Sequence, residues 1–186
     1  MIRVEIDDRD VRRALEELRR RASNMLPAMR AIGEDLAQGS RDRIMEGRDW
    51  TGQPFAPNAD TTLLRVMQRA TGDKGVLTRR GNTRAAAVRA LARKQPLIDE
   101  GSFFRNEPHY WADADSVVVG ASAVQAAVLQ FGARRGQFGS TRRGGKIPWG
   151  DIPARRYLPV TEDGRLDDAA RDLVLDIIRA HLADAV

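Results

Sequence analysis

Residues 116–132, SVVVGASAVQAAVLQFG, place a short strand directly before a helix and thereby decide the fold class. The three valines at 117–119 are β-branched and lie between a serine and a glycine, which is typical of a strand. Small and apolar residues continue over 121–131 until Gly132, which predicts a short buried helix that ends at this glycine. One short segment therefore combines both kinds of secondary structure.

Longer helices are predicted on either side from the spacing of apolar residues. Apolar side chains recur every three or four positions over 9–22, 26–46 and 165–184, as in helices with one buried face. Gly33 and Gly39 lie inside the second of these, where a glycine costs about 1 kcal/mol relative to alanine unless close packing compensates. Contact with a neighbouring helix is one such compensation. Shorter helices are expected from about Thr61 and over 83–94.

The remaining segments are extended or irregular. Alternating apolar residues predict a half-buried strand over 2–6, and the prolines in 152–160 favour an extended chain. Loop excursions rich in glycine, proline and charge are expected at about 47–60, 71–82 and 132–150, and we expect the last to be flexible on its own. Together, the predicted helices, strands and loops indicate a single α+β domain over 1–186, with long amphipathic helices packed on a small, mainly antiparallel sheet.

Composition excludes several classes of protein. The chain has 186 residues and no cysteine, which rules out a disulfide framework, a cysteine nucleophile and thiolate metal sites. No apolar stretch approaches the roughly 18 residues that span a bilayer, so we expect no membrane partner. The first eight residues, MIRVEIDD, lack an apolar signal core, so we expect a protein made in the cytoplasm.

The net charge of +5 is distributed in blocks of opposite sign. Residues 71–98 and 134–161 each carry +6, whereas 99–133 and 162–186 each carry −4. A basic block suits a solvated surface, nucleic acid, a membrane surface or an acidic protein surface. Composition alone leaves these alternatives open.

Catalytic and metal-binding motifs are not evident. The two histidines, His109 and His181, lie far apart in the sequence, and the set Glu107, His109 and Asp113 matches no familiar metal-site spacing. No G-x-S-x-G elbow occurs. The segment GSTRRGGKI at 139–147 approaches a phosphate-binding loop but has one residue too many and an isoleucine in place of the hydroxyl residue. We therefore expect no enzyme, no cofactor and no metal.

The glycine-rich segment 132–150 leaves two functions open. Its five basic residues are interleaved with Phe138 and Trp149, a combination that can grip phosphates and stack on bases. An accessory protein that binds DNA or RNA is therefore one reading, although no known nucleic-acid-binding motif appears. An assembly protein is the other, with the same segment wrapping a neighbour and ordering as it binds.

The order of motifs resembles the phage virion morphogenesis family, the tail completion proteins like those of phages Mu and P2. The resemblance rests on VVVG at 117–120, LQFG at 129–132, the basic glycine-rich segment, IPARRYL at 152–158, the Asp49–Trp50 segment with Gly52 and Pro54, and LIDEGSF at 97–103. It covers about residues 45–160. It implies a non-enzymatic component of the head–tail neck or tail terminator, in a ring that is often hexameric.

The implied partners are other copies of the chain, adjacent neck, connector or tail-tube proteins, and non-specific phage DNA. The implied location is the virion neck or tail end, reached from the host cytoplasm. A ring needs two complementary surfaces on each subunit, which the charge blocks can supply. The predicted interface residues are Trp50, Arg134, Arg135, Arg142, Arg143, Lys146, Trp149, Arg155, Asp167, Asp168, Asp172 and Asp176.

Overall fold

The fold was obtained as a computed structural model, which describes residues 9–98 and 107–183. In chain order the helices are α1 (Arg9–Ala22), α2 (Leu26–Glu46), α3 (Asp60–Thr71), α4 (Ala85–Arg93), α5 (Ala126–Phe131) and α6 (Asp168–Ala183), with strands β1 (His109–Ala112) and β2 (Val117–Gly120) between α4 and α5. The predicted α+β class is confirmed. The strand predicted over 2–6 lies outside the described residues.

The long helices follow the predicted periodicity closely. α1 and α2 have the predicted bounds, and α2 ends at Gly47 as expected from the sequence. α6 begins at Asp168 because Asp167 caps it: its carboxylate accepts a hydrogen bond from the Ala169 amide at 3.0 Å. Periodicity therefore predicted these three helices well, since each carries an apolar stripe at helical spacing.

The sheet contains a strand that the sequence did not reveal. β1 pairs antiparallel with β2, with Tyr110 opposite Val119 and Trp111 opposite Val118. The sequence EPHYW at 107–111 predicts a turn with an aromatic pair, and this prediction is wrong. The segment is extended because it pairs with β2 and packs against α2.

The α5 helix covers Ala126–Phe131 and is shorter than the predicted 121–131. A hydrogen-bonded turn before it explains the difference. The Glu107 carboxylate accepts hydrogen bonds from the amides of Ser122 and Ala123 at 2.8 and 3.2 Å. These amides lie in the turn that leads into α5, and the helix begins only at Ala126. A side chain from the preceding segment thus fixes the connection between β2 and α5.

The core is built along α2 in two clusters. At one end, Ile32 and Leu36 pack with Ala170 and the apolar face of α6, and the inner face of the sheet lies against them. At the other end, Ile44 packs with Phe55 and Tyr157, together with the residues around α5. The long helix α2 therefore ties the sheet and α6 to the C-terminal extended segment.

The predicted loop at 71–82 contains defined secondary structure. Residues 71–82 include the end of α3, a 3-10 turn at Gly72–Lys74 and a tight turn in which the Thr78 amide donates to the Asn82 carbonyl. Among the described helices and strands, α3 and α4 pack on each other and on none of the rest, apart from that 3-10 turn. Residues 60–93 therefore form a helical hairpin: its two helices were predicted, and the segment 71–82 that joins them is held by backbone hydrogen bonds.

Candidate assembly interface

Residues 133–152 form a β-hairpin-like excursion, called here the basic hairpin. Its base is closed by Ala133 and Ile152, which exchange both backbone hydrogen bonds at 2.9 and 2.7 Å. Further up, the Phe138 amide donates to the Ile147 carbonyl at 2.8 Å, and Ser140 pairs with Lys146. The sequence predicted an irregular, flexible segment here. Backbone hydrogen bonds between its two arms hold the segment together, although its composition cannot form an apolar core.

The side chains of the basic hairpin face solvent. All five of its cations are exposed: Arg134, Arg135, Arg142, Arg143 and Lys146. Within the described part of the chain, none of the five forms an ion pair. Trp149 is 75% exposed and Phe138 is also exposed, so apolar rings lie between the charges. This surface combines cationic groups with apolar area that water solvates poorly.

An acidic surface lies on the outer side of α6. Asp168, Asp172 and Asp176 are all exposed, and they recur every four positions, which places them on one face of the helix. Asp168 pairs with Arg171 at 3.1 Å, and Asp176 pairs with Arg179 at 3.0 Å. Such exposed pairs contribute about 0.3–0.5 kcal/mol each and are readily exchanged for other partners.

Asp167, predicted as part of this surface, has a different role. It is buried and caps α6, so it is not available to a neighbouring subunit. No ion pair joins the basic hairpin to α6 in the portions of the chain that the structure describes. The two charged surfaces are thus separate features of one subunit.

Arg155 and Trp50, which were also predicted as interface residues, both hydrogen-bond backbone carbonyls of their own chain. Arg155 is only 8% exposed, and its guanidinium donates to the carbonyls of Ala56 and Pro57 at 2.8 and 2.6 Å. Burial lowers its pKa. Trp50 is half-buried, and its Nε1 donates to the Tyr157 carbonyl at 3.0 Å. Both side chains join the loop at 48–57 to the segment at 152–158.

Gln130 completes this set of contacts, which is called here the buried framework: Trp50, Gln130, Arg155 and Tyr157. Gln130 is almost fully buried, and its amide group bonds Leu158 in both directions, accepting from the Leu158 amide at 3.0 Å. The Gln130 side chain thus bonds Leu158 as a neighbouring strand would, and the Leu158 carbonyl also accepts a hydrogen bond from the Val160 amide at 2.8 Å. Burial, with a smaller contribution from Glu107, raises the pKa of Tyr157 to about 12. Nothing in the sequence pointed to Gln130 or Tyr157 except their place in the resembling motifs.

The groups considered for metal binding serve local structure. Asp113 accepts hydrogen bonds from the amides of Asp115 and Ser116 in the turn between the strands, which lowers its pKa. His109 Nδ1 contacts the Glu107 carbonyl at 2.6 Å. Over residues 9–98 and 107–183, no three histidine or acidic side chains are grouped in a way that could hold a metal ion.

Comparison with known proteins identifies the family. The sequence model of the phage virion morphogenesis family matches residues 6–183. The chain belongs to this family. Phage virion morphogenesis proteins are structural assembly proteins, with no enzymatic activity known for them. Neither a curated protein nor a solved structure matches the chain.

Part of the resemblance to the family lies in segments that contain the buried framework. Three of the segments that carry the resemblance to phage virion morphogenesis proteins hold Trp50, Gln130 and the run from Arg155 to Leu158. They hydrogen-bond one another in the folded chain, so they help to maintain the fold. In the described residues, no helix is both long and apolar enough to cross a membrane.

Proposed function

We propose that this protein is a non-enzymatic subunit that completes the tail or the head–tail neck of a tailed phage, as a ring of identical copies. The observation that carries the proposal is the family match over residues 6–183. The expected partners are other copies of the chain, in a ring expected to be hexameric, and adjacent connector or tail-tube proteins. The expected location is the neck or tail end of the virion.

The charged surfaces support contact between copies. A closed ring joins two different surfaces of each subunit, repeated around an axis. The basic hairpin offers exposed cations, and α6 offers exposed carboxylates at Asp168, Asp172 and Asp176. We propose that the hairpin of one copy meets α6 of the next. Trp149 and Phe138 would lose water in that contact and add apolar area to it.

Deletion of the gene in its phage tests the proposed role. We expect the deletion to leave heads and tails that do not join, or tails without a defined end, and a plasmid copy to restore infectious particles. Cryo-electron microscopy of the restored particles should show the subunit at the neck or tail end. Normal infectious particles from the deleted phage would overturn the proposal.

Nucleic-acid binding is the second candidate function. The observation that favours it is the exposure of Trp149 and Phe138 among five exposed cations, because such surfaces contact phosphates and bases. Filter binding of non-specific duplex DNA and of single-stranded RNA at low salt tests it. Binding that falls as salt rises, and that is lost when Arg142 and Arg143 become serine, would support this function. Absence of binding at low salt would exclude it.

A further inference from the structure

The helix α1 presents an apolar stripe that the rest of the described chain leaves uncovered. Val11, Leu15 and Leu18 recur at helical spacing, and Leu15 is 59% exposed. Near the C-terminal end of α1, Arg21 donates to the His181 carbonyl at 3.3 Å. Among the described helices and strands it contacts α6 and no other. An amphipathic helix of this kind is stable when its apolar face packs against another surface.

The sheet presents a second uncovered apolar face. Side chains alternate along a strand, so Tyr110 and Val119 face α2 whereas Trp111 and Val118 face away from it. Trp111 is 62% exposed, and it forms a cross-strand pair with Val118, which is exposed to a similar extent. The sheet has only two strands in the described chain, so this pair forms most of its outer surface.

The two faces match in size. Val11 and Leu18 are seven positions apart, or about 10 Å along a helix axis at 1.5 Å per residue. A strand of four residues such as β2 spans about 13 Å. The apolar stripe of α1 therefore has the length of the outer face of the sheet.

The two faces also carry opposite charges. Over 9–22, α1 has six arginines and three acidic residues, and Arg19 lies one turn from Leu15 beside the apolar stripe. The strand segment 107–120 contains Glu107, Asp113 and Asp115 and neither lysine nor arginine. A helix carrying net positive charge thus has an apolar stripe that suits a sheet bordered by carboxylates.

We propose that α1 of one copy packs across the outer face of the β1–β2 sheet of a second copy of this chain. The contact joins two different surfaces, so it propagates head to tail and closes into a ring if the rotation permits. It rests on the proposed function for its setting, and it is a second contact beside the one between the basic hairpin and α6.

Engineered disulfides test the contact directly, because the native chain has no cysteine. Leu15→Cys and Val118→Cys are made in separate proteins, which are mixed, concentrated and oxidised. We expect a covalent dimer from the mixture and little from either protein alone, since the contact pairs unlike surfaces. Val124→Cys is the matched control, because Val124 is apolar and 98% exposed but belongs to neither face. A dimer that forms no faster with Leu15→Cys and Val118→Cys than with Leu15→Cys and Val124→Cys overturns the proposal.

Glutamate variants separate this proposal from the proposed function. Leu15→Glu and Val118→Glu should each fold, because both positions are exposed, and circular dichroism checks this. We expect each variant to abolish complementation of the deleted phage, whereas Val124→Glu complements normally. If the wild-type gene complements and both glutamate variants do so equally well, the contact is wrong and the assembly role stands. If the deleted phage assembles normally, the assembly role itself fails, whatever the disulfide experiment gives.

Discussion

Gly33 of α2 lies directly against the ring of Tyr110, so that a Cβ at this position would be 2.2 Å from Tyr110 Cδ2. Gly39, one and a half turns later, lies against Trp50 in the same way, with a distance of 2.6 Å to Cη2. The sequence predicted close packing at both glycines but suggested a neighbouring helix. The neighbours are instead aromatic side chains from β1 and from the loop after α2. α2 can approach these rings closely because neither glycine carries a Cβ.

Replacement of Gly33 by alanine should destabilise the protein. Alanine gains about 1 kcal/mol of helix propensity, but overpacking against a ring that cannot withdraw costs about 1–3 kcal/mol. We expect the second effect to prevail by about 1 kcal/mol, measured by urea unfolding. Ala31→Gly is the control, since Ala31 is exposed on the same helix and reports propensity alone. A Gly33→Ala protein more stable than wild type would show that Tyr110 moves aside.

Arg155→Ala should cost about 2–4 kcal/mol of stability, because the hydrogen bonds of a buried guanidinium to two backbone carbonyls and the packing of the side chain are lost together. Arg156→Ala is the matched control: Arg156 is the next residue, and its ion pair with the exposed Glu162 is worth about 0–1 kcal/mol. Thermal unfolding of both variants provides the measurement. Equal stability of the two variants would return Arg155 to the list of interface residues.

Tyr157 should make stability fall at alkaline pH. Its pKa is raised to about 12 in the folded protein, against about 10 for an unfolded tyrosine. The folded chain therefore keeps the phenol proton that the unfolded chain loses, so this contribution is intact below about pH 10 and disappears as the pH rises toward 12. The full loss is about 3 kcal/mol. Urea midpoints against pH should fall less steeply for Tyr157→Phe than for wild type, and parallel curves would contradict the assignment.

Gln130 should be needed for the fold although it is an uncharged residue with no role in a site. Gln130→Leu keeps the volume but leaves the Leu158 amide and carbonyl without their side-chain partner, at a cost of about 1–3 kcal/mol. Gln137→Leu is the control, because Gln137 is exposed in the basic hairpin. Unfolding in guanidinium chloride measures both, and a Gln130→Leu protein as stable as the control would mean that these bonds contribute little.

Association of the subunits should weaken with salt if the basic hairpin meets α6 of the next copy. Exposed charges interact over about 10 Å at 0.1 M salt but over only about 3 Å at 1 M, because dissolved ions screen them beyond that distance. We expect sedimentation to show less oligomer as salt rises, and Asp168→Asn with Asp172→Asn and Asp176→Asn to mimic high salt. Asp167 is left unchanged because it caps α6. An oligomer that is indifferent to salt over this range would exclude charge pairing as the main contact.

Features that depend on neighbours in sequence were predictable. The helices α1, α2 and α6 follow from apolar periodicity, and β2 follows from its run of valines. β1 was missed because a four-residue strand after Pro108 has no distinctive pattern and is extended only through pairing with β2. The basic hairpin was expected to be flexible because the pairing of its two arms is not visible in the sequence. Its backbone hydrogen bonds join positions as far apart as Ala133 and Ile152.

The predicted interface residues divide by burial, which composition does not reveal. Arg134, Arg142 and Trp149 are exposed, and an interface role for them stays a prediction. Arg155 lies in the same basic block, yet its guanidinium is buried against backbone carbonyls. The sequence does not distinguish an arginine whose guanidinium is hydrated from one whose guanidinium is buried and bonds to carbonyl groups, since the residue type is the same.

The sequence by itself determined the α+β class, the long helices, the absence of cysteine chemistry and the resemblance to a phage assembly family. These depend on local periodicity, on composition and on the order of motifs. Only the tertiary structure decided that Trp50, Gln130 and Arg155 hold the fold together while the basic hairpin and the apolar faces of α1 and the sheet remain exposed. Burial is a property of contacts between distant segments, and those contacts exist only once the chain has folded.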